Sequence, residues 1–80
     1  MSSPTITYQQ AIQYSNLALK RGDKILARHW ARLAASTNPE SEEAWLLMAA
    51  TACPQATVGY LKRALEVNPE SQRARKGMAS

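Results

Sequence analysis

Apolar residues recur at spacings of three and four along most of this chain, and glycine, proline and capping residues break the recurrence into segments. The first segment predicts a helix from Thr7 to Arg21, with Ala11, Tyr14, Leu17 and Ala18 on one face. Thr7 and Gln10 have the spacing of a capping box, and Ile6 stands just before the cap. Lys20 and Arg21 sit where a helix dipole favours cations, and Gly22-Asp23 reads as a stop followed by a restart. A second helix is predicted from about Lys24 to Thr37. Its wide apolar face is Leu26, Ala27, Trp30, Ala31, Leu33 and Ala34, and Lys24, Arg28 and Arg32 make a polar stripe four residues apart. Asn38-Pro39 ends it, because the residue before a proline avoids the helical region.

Ser41 is placed to cap a short third helix, with Glu42 and Glu43 in its first turn and Ala44, Trp45, Leu47, Met48 and Ala49 as its apolar residues. It ends near Ala52, and Pro54 suits the first turn of a fourth helix carrying Val58, Leu61, Ala64 and Leu65. Asn68-Pro69 closes that helix. Ser71 caps a fifth, polar one, with Arg73, Arg75 and Lys76 toward water and Ala74 and Met78 inward. Gly59 stands inside the fourth helix at a cost of about 1 kcal/mol relative to alanine; close approach by the preceding helix is one explanation and drift the other. Strict alternation is missing, and no Asn-Gly or Asp-Gly turn joins β-branched runs, so no strand is predicted. The expectation is an all-α chain of about five helices joined by tight links.

The chain repeats itself. Asn38-Pro39-Glu40-Ser41 recurs 30 residues later as Asn68-Pro69-Glu70-Ser71. At that offset Trp30 aligns with Tyr60, Ala34 with Ala64, Ala44 with Ala74, Met48 with Met78 and Ala49 with Ala79. A repeat of this period predicts stacked supersecondary units.

On these residues the sequence resembles the tetratricopeptide repeat family, whose period is about 34 residues. With Pro39 at the family's late proline, repeat one runs from about Tyr8 to Ser41, Ala27 and Ala34 take the two alanine places of its second helix, Gly22 falls in the turn and Ser15 takes the small-residue place. In repeat two, about residues 42–71, Trp45, Met48 and Ala49 take the tryptophan, leucine and small places, and Ala64 and Pro69 close the unit. A third repeat ends after its first helix, about residues 72–79. Repeat one departs from the pattern at Ala11, Ala18 and Ala31, and repeat two is shorter by about one helical turn, lost near Thr51 to Gln55. The resemblance implies a single domain over residues 1–80: antiparallel hairpins stacked as a short right-handed solenoid, with a C-terminal capping helix.

It also implies function. The family binds an extended peptide or helix of a partner protein in a groove lined by the first helix of each hairpin. By position that groove would hold Gln9, Ile12, Gln13, Asn16, Leu46, Leu47, Ala50, Arg73 and Lys76. Some members grip a C-terminal carboxylate with Lys, Asn and Arg; Asn16 and Arg73 match two of those places, but Ile12, Leu47 and Gly77 break the set, so that clamp is not expected.

Composition narrows the remaining classes. At 80 residues the chain is near the low end of what folds alone, so packing or a partner must supply stability. Cys53 and His29 are the only residues of their kinds, which excludes an internal disulfide and a cysteine–histidine zinc site. Cys53 reads as a cap or a buried small residue, and neither it nor His29 has a partner that would make a nucleophile and base. No glycine-rich phosphate loop occurs. Neither catalysis, nor a cofactor, nor a metal is expected. The first residues lack the basic and apolar regions of a secretory signal, and no apolar run is long enough to span a bilayer, so a cytoplasmic setting is expected. The net charge of +4 permits an acidic partner without requiring nucleic acid. The first expectation is therefore a protein-binding adaptor. One alternative is a self-associating module whose homodimer contact uses Trp30 and Tyr60 on the outer face. The other is a basic helical nucleic-acid binder using Lys24, Arg28 and Arg32.

Overall fold

A computed structural model describes residues 6–79. Five helices occupy them: α1 (Tyr8–Lys20), α2 (Lys24–Thr37), α3 (Glu42–Thr51), α4 (Pro54–Val67) and α5 (Gln72–Ala79), with no strand among the described residues. Each helix packs on the next, and α1 also touches α3. The start of α1 is the expected capping box. The Thr7 side chain accepts from the Gln10 backbone N–H at 3.1 Å, and the Gln10 side chain accepts from the Thr7 N–H at 3.0 Å. Gly22 closes α1 with φ +79°. The Asp23 N–H reaches back to the Ala18 carbonyl at 2.9 Å and the Gly22 N–H to Leu19 at 3.0 Å, the paired bonds of a Schellman end. Asp23 at once caps α2, accepting from the Leu26 N–H at 3.0 Å. Cys53 occupies the N-cap of α4 but makes no side-chain cap bond, and it is exposed rather than buried; Pro54 behind it starts the helix.

The core is built mostly of alanine. Ala11, Ala31, Ala34, Ala35, Ala44, Leu47 and Met48 form one buried cluster, and Leu46, Ala49, Leu61, Ala64 and Ala74 a second. Small residues let helix backbones approach closely. Ser15 takes part at the same seam, fully buried, its hydroxyl donating to the Ala27 carbonyl at 2.8 Å. Larger side chains stand beside the seam and pack on it from the edge, among them Tyr8, Ile12, Leu19, Trp30, Leu33, Trp45 and Tyr60.

The two Asn-Pro-Glu-Ser strings fold alike. Asn38 and Asn68 have nearly the same backbone angles, φ −140° and −139°. Each asparagine side chain accepts from the glutamate N–H two residues on, and each serine hydroxyl accepts from the N–H three residues on, at 3.2 Å. Each serine is also held by the first residue of an earlier helix: Tyr8 OH of α1 pairs with Ser41 Oγ, and Ser71 donates to Glu42 of α3. Glu42 accepts from Asn68 Nδ2 at 2.8 Å as well. Each proline carbonyl accepts from a side chain six residues on, the Trp45 indole N–H at 2.6 Å and the Arg75 guanidinium at 2.8 and 3.1 Å. The hydrogen bonds from Asn68 and Ser71, with the nearby Arg73 charge, hold the Glu42 carboxyl below its ordinary value.

The second hairpin is shorter than the first by four residues. First helices begin at Tyr8, Glu42 and Gln72. Helices α2 and α4 are both 14 residues, whereas α3 has 10 residues against 13 in α1. The remaining residue is lost from the link, Ala52-Cys53 against Arg21-Gly22-Asp23. One packing expectation fails, and one of two explanations for Gly59 is removed. Met78 is 40% exposed, although its counterpart Met48 is buried: Met48 lies inside α3 against the first cluster, whereas Met78 lies near the end of α5. Gly59 faces open space, with nothing within 4 Å of where a Cβ would stand, so close helix approach does not explain it.

Candidate functional site

The residues placed in the groove by resemblance divide into two sets. Gln9, Gln13 and Asn16 are exposed on α1, and Ile12 is half-buried against the first cluster. Asn16 donates to the Ile12 carbonyl of its own helix at 3.1 Å. Ala50, Arg73 and Lys76 are exposed on α3 and α5, with Arg73 paired to Glu43 at 2.7 Å. Leu46 and Leu47 are different: they are 8% and 3% exposed and belong to the two core clusters. The reason is the position of α3. It packs against α2 and α4 and touches α1, so six of its ten residues are buried. Four of the other seven groove candidates line two hollows that share no residue. Gln13 and Asn16 line one with Leu17 and Lys20; Ala50 and Arg73 line another with Ala49, Thr57, Leu61, Gly77 and the remaining edge of Leu46.

Trp30 and Tyr60 occupy equivalent places, but each takes its own partner. Trp30 lies 5.0 Å from the Tyr14 ring and 5.0 Å from His29, while Tyr60 stacks on Trp45 at 6.2 Å, with Arg63 over the Trp45 ring. Both rings rest on the edge of the first cluster, which is ordinary packing inside the chain.

A different surface emerges on the first hairpin. Tyr14, Leu17, Ala18 and Arg21 of α1 and its C-cap face Leu26 and Trp30 of α2 across an open cleft of about 270 Å³. Leu17 is 54% exposed and Leu26 41%, and Ile25, on the outer side of α2, is 87% exposed. Of the six large apolar residues most exposed among those described, four lie on this hairpin: Tyr14, Leu17, Ile25 and Leu26. Periodicity assigned Tyr14, Leu17 and Leu26 to the apolar faces with Ala11, Ala18 and Ala27. The structure separates them, because the alanines form the seam and the larger residues flank it where no described helix covers them. The small size of the seam residues was the available signal.

Charge is distributed just as unevenly. Residues 8–37 carry Lys20, Lys24, Arg21, Arg28 and Arg32 against Asp23 alone, a net +4; residues 38–79 carry five cations and five carboxylates. All of the chain's net charge therefore sits on the first hairpin. Arg21 lines the cleft, and Lys20 lines the adjoining hollow through Leu17. Of the predicted stripe of Lys24, Arg28 and Arg32, Arg28 and Arg32 line one hollow on α2 with Ile25 and His29. The Arg28 Nε is buried without a hydrogen-bond partner. Among the described residues no three His, Cys, Asp or Glu side chains gather to hold a metal, and no helix is long and apolar enough to cross a membrane. Comparison with protein families, with curated proteins and with solved structures finds no match to this chain.

Proposed function

We propose that this chain is a tetratricopeptide-like module that binds a segment of another protein, and that its first hairpin presents the binding surface. One observation carries the reading: the large apolar residues left uncovered concentrate on α1 and α2, around the cleft of Tyr14, Leu17, Leu26 and Trp30. An exposed apolar patch rimmed by polar groups marks an interaction site. Two further observations favour helical repeats. The junctions after α2 and after α4 share their asparagine, serine and proline-carbonyl hydrogen bonds, and the long dimension of 48 Å exceeds the roughly 21 Å of a 14-residue helix, as sideways stacking of hairpins requires. On this reading Gln9, Gln13 and Asn16 extend the surface along α1, and Ala50, Arg73 and Lys76 offer a separate contact for a longer partner. Leu46 and Leu47 serve the core.

The test is selection from a random-peptide display library against the intact chain, followed by competition with a Leu17→Ser/Leu26→Ser variant whose helical content is checked by circular dichroism. Selected peptides should lose most of their affinity for the variant. Peptides that bind both proteins equally, or a library that yields no binder, would sink the proposal. Light scattering across concentrations tests the self-associating alternative, which requires a dimer. Trp30 and Tyr60 already have aromatic partners within the chain, which weighs against it.

A further inference from the structure

The cleft on the first hairpin has a shape and a charge that together select a class of occupant. Its α1 wall is Tyr14, Leu17 and Arg21, spaced three and four apart, and its α2 wall is Leu26 and Trp30, four apart. Residues at those spacings form ridges along a helix, so the cleft is the groove between two helix ridges. At about 270 Å³ it lies at the low end of the range of small-molecule pockets, and the Tyr14–Trp30 ring contact bridges its two walls. It suits one or two side chains projecting from a third helix.

Charge decides between candidate helices. The hairpin carries +4, and its single acid, Asp23, is committed to the cap of α2. A second copy docking by the same face would bring Arg21 and Lys20 of both copies to one interface, with no carboxylate lining the cleft or the adjoining hollow, which opposes an isologous dimer. Residues 38–79 carry five cations and five carboxylates, so no net acidic excess there draws a second copy to the cleft. A partner carrying carboxylates beside an apolar stripe satisfies both features of the surface.

We propose that the cleft between α1 and α2 docks an acidic amphipathic helix of a partner protein. Apolar side chains of that helix seat among Tyr14, Leu17, Leu26 and Trp30, and its carboxylates lie against Arg21 and Lys20. This rests on the protein-binding reading above and adds the partner's chemistry.

Three model peptides of about 18 residues test it, sharing one leucine stripe and differing only in the polar face: glutamate, glutamine or lysine. Binding to the intact chain is followed by NMR through the Trp30 indole N–H. The glutamate peptide should bind about tenfold tighter than the glutamine peptide at low salt, and the lysine peptide weakest. The gap should close toward about 1 M salt, where screening acts within about 3 Å. Leu26→Ser should weaken all three peptides. Arg21→Glu, a change at an exposed position, should weaken the glutamate peptide far more than the glutamine peptide and so remove most of the preference for glutamate. Equal binding of the glutamate and glutamine peptides at low salt would overturn the charge argument and leave the protein-binding reading standing. Failure of all three peptides would overturn both. Self-association that protects Trp30 and Leu26 would assign the cleft to a second copy, and a single-stranded oligonucleotide that binds there more tightly than the glutamate peptide would assign it to nucleic acid; either result overturns the proposal.

Discussion

Replacing Gly59 with alanine should stabilise this protein by about 0.8–1 kcal/mol. Gly59 is the sixth residue of the 14-residue α4, where glycine costs that much relative to alanine. Part of the cost arises in the unfolded chain, whose freedom a glycine enlarges. Nothing in the folded chain offsets the gain. The position is exposed, its φ is not in the left-handed region, and a Cβ would meet no atom within 4 Å. No burial term enters either, because the added methyl stays in water. For a domain this small, 1 kcal/mol corresponds to a rise of about 4–8 °C in Tm. The other two glycines supply controls with opposite expectations. Gly22 sits at φ +79°, where an L side chain costs roughly 1–2 kcal/mol, so Gly22→Ala should destabilise. At Gly77 a Cβ would stand 2.8 Å from Leu61 Cδ1, and Leu61 is itself buried, so Gly77→Ala should lose its propensity gain to the clash. Urea melts of the four proteins, followed by circular dichroism with a common slope, give the ranking directly. A Gly59→Ala protein no more stable than wild type, or a Gly77→Ala protein that gains as much, would refute this account of α4 and α5.

Other perturbations test the packing and the junctions. Trp45→Ala removes the indole that stacks on Tyr60 and donates to the Pro39 carbonyl, and should cost about 3 kcal/mol by urea melt; a loss under about 1 kcal/mol would place Trp45 outside the stabilising core. The lowered pKa of Glu42 makes its contribution to stability complete above the ordinary carboxylate value and lost as pH falls through the folded value. The stability difference between wild type and Glu42→Gln should therefore shrink in acid melts below about pH 4; a difference independent of pH would contradict the assigned hydrogen bonds. Arg73→Ala breaks an exposed ion pair with Glu43 and should change stability by less than about 1 kcal/mol. A larger loss would mean that Arg73 secures α5 beyond that pair.

Much of the architecture was legible because it rests on local rules. The Thr7–Gln10 box, the stop at Gly22, Pro54 at the start of α4 and the two Asn-Pro breaks each act within a few residues, so the chain itself specifies five helices and their ends. The matching Asn-Pro-Glu-Ser junctions were legible too, since an internal recurrence is a comparison within one chain. Exposure was not. Leu17 and Leu47 are both leucines at helical spacings, yet one is open and the other sealed. Leu47 belongs to the helix with neighbours on both sides, and Leu17 to a hairpin that α3 covers on one side only. Periodicity gives a side chain's direction around its own helix. Whether another helix stands in that direction depends on the packing of the whole chain. The same holds for Gly59, whose surroundings no local pattern reports, and for the cleft, whose two walls come from separate helices. Sequence thus determined the helices and their order, while tertiary packing decided which apolar residues became core and which were left as surface.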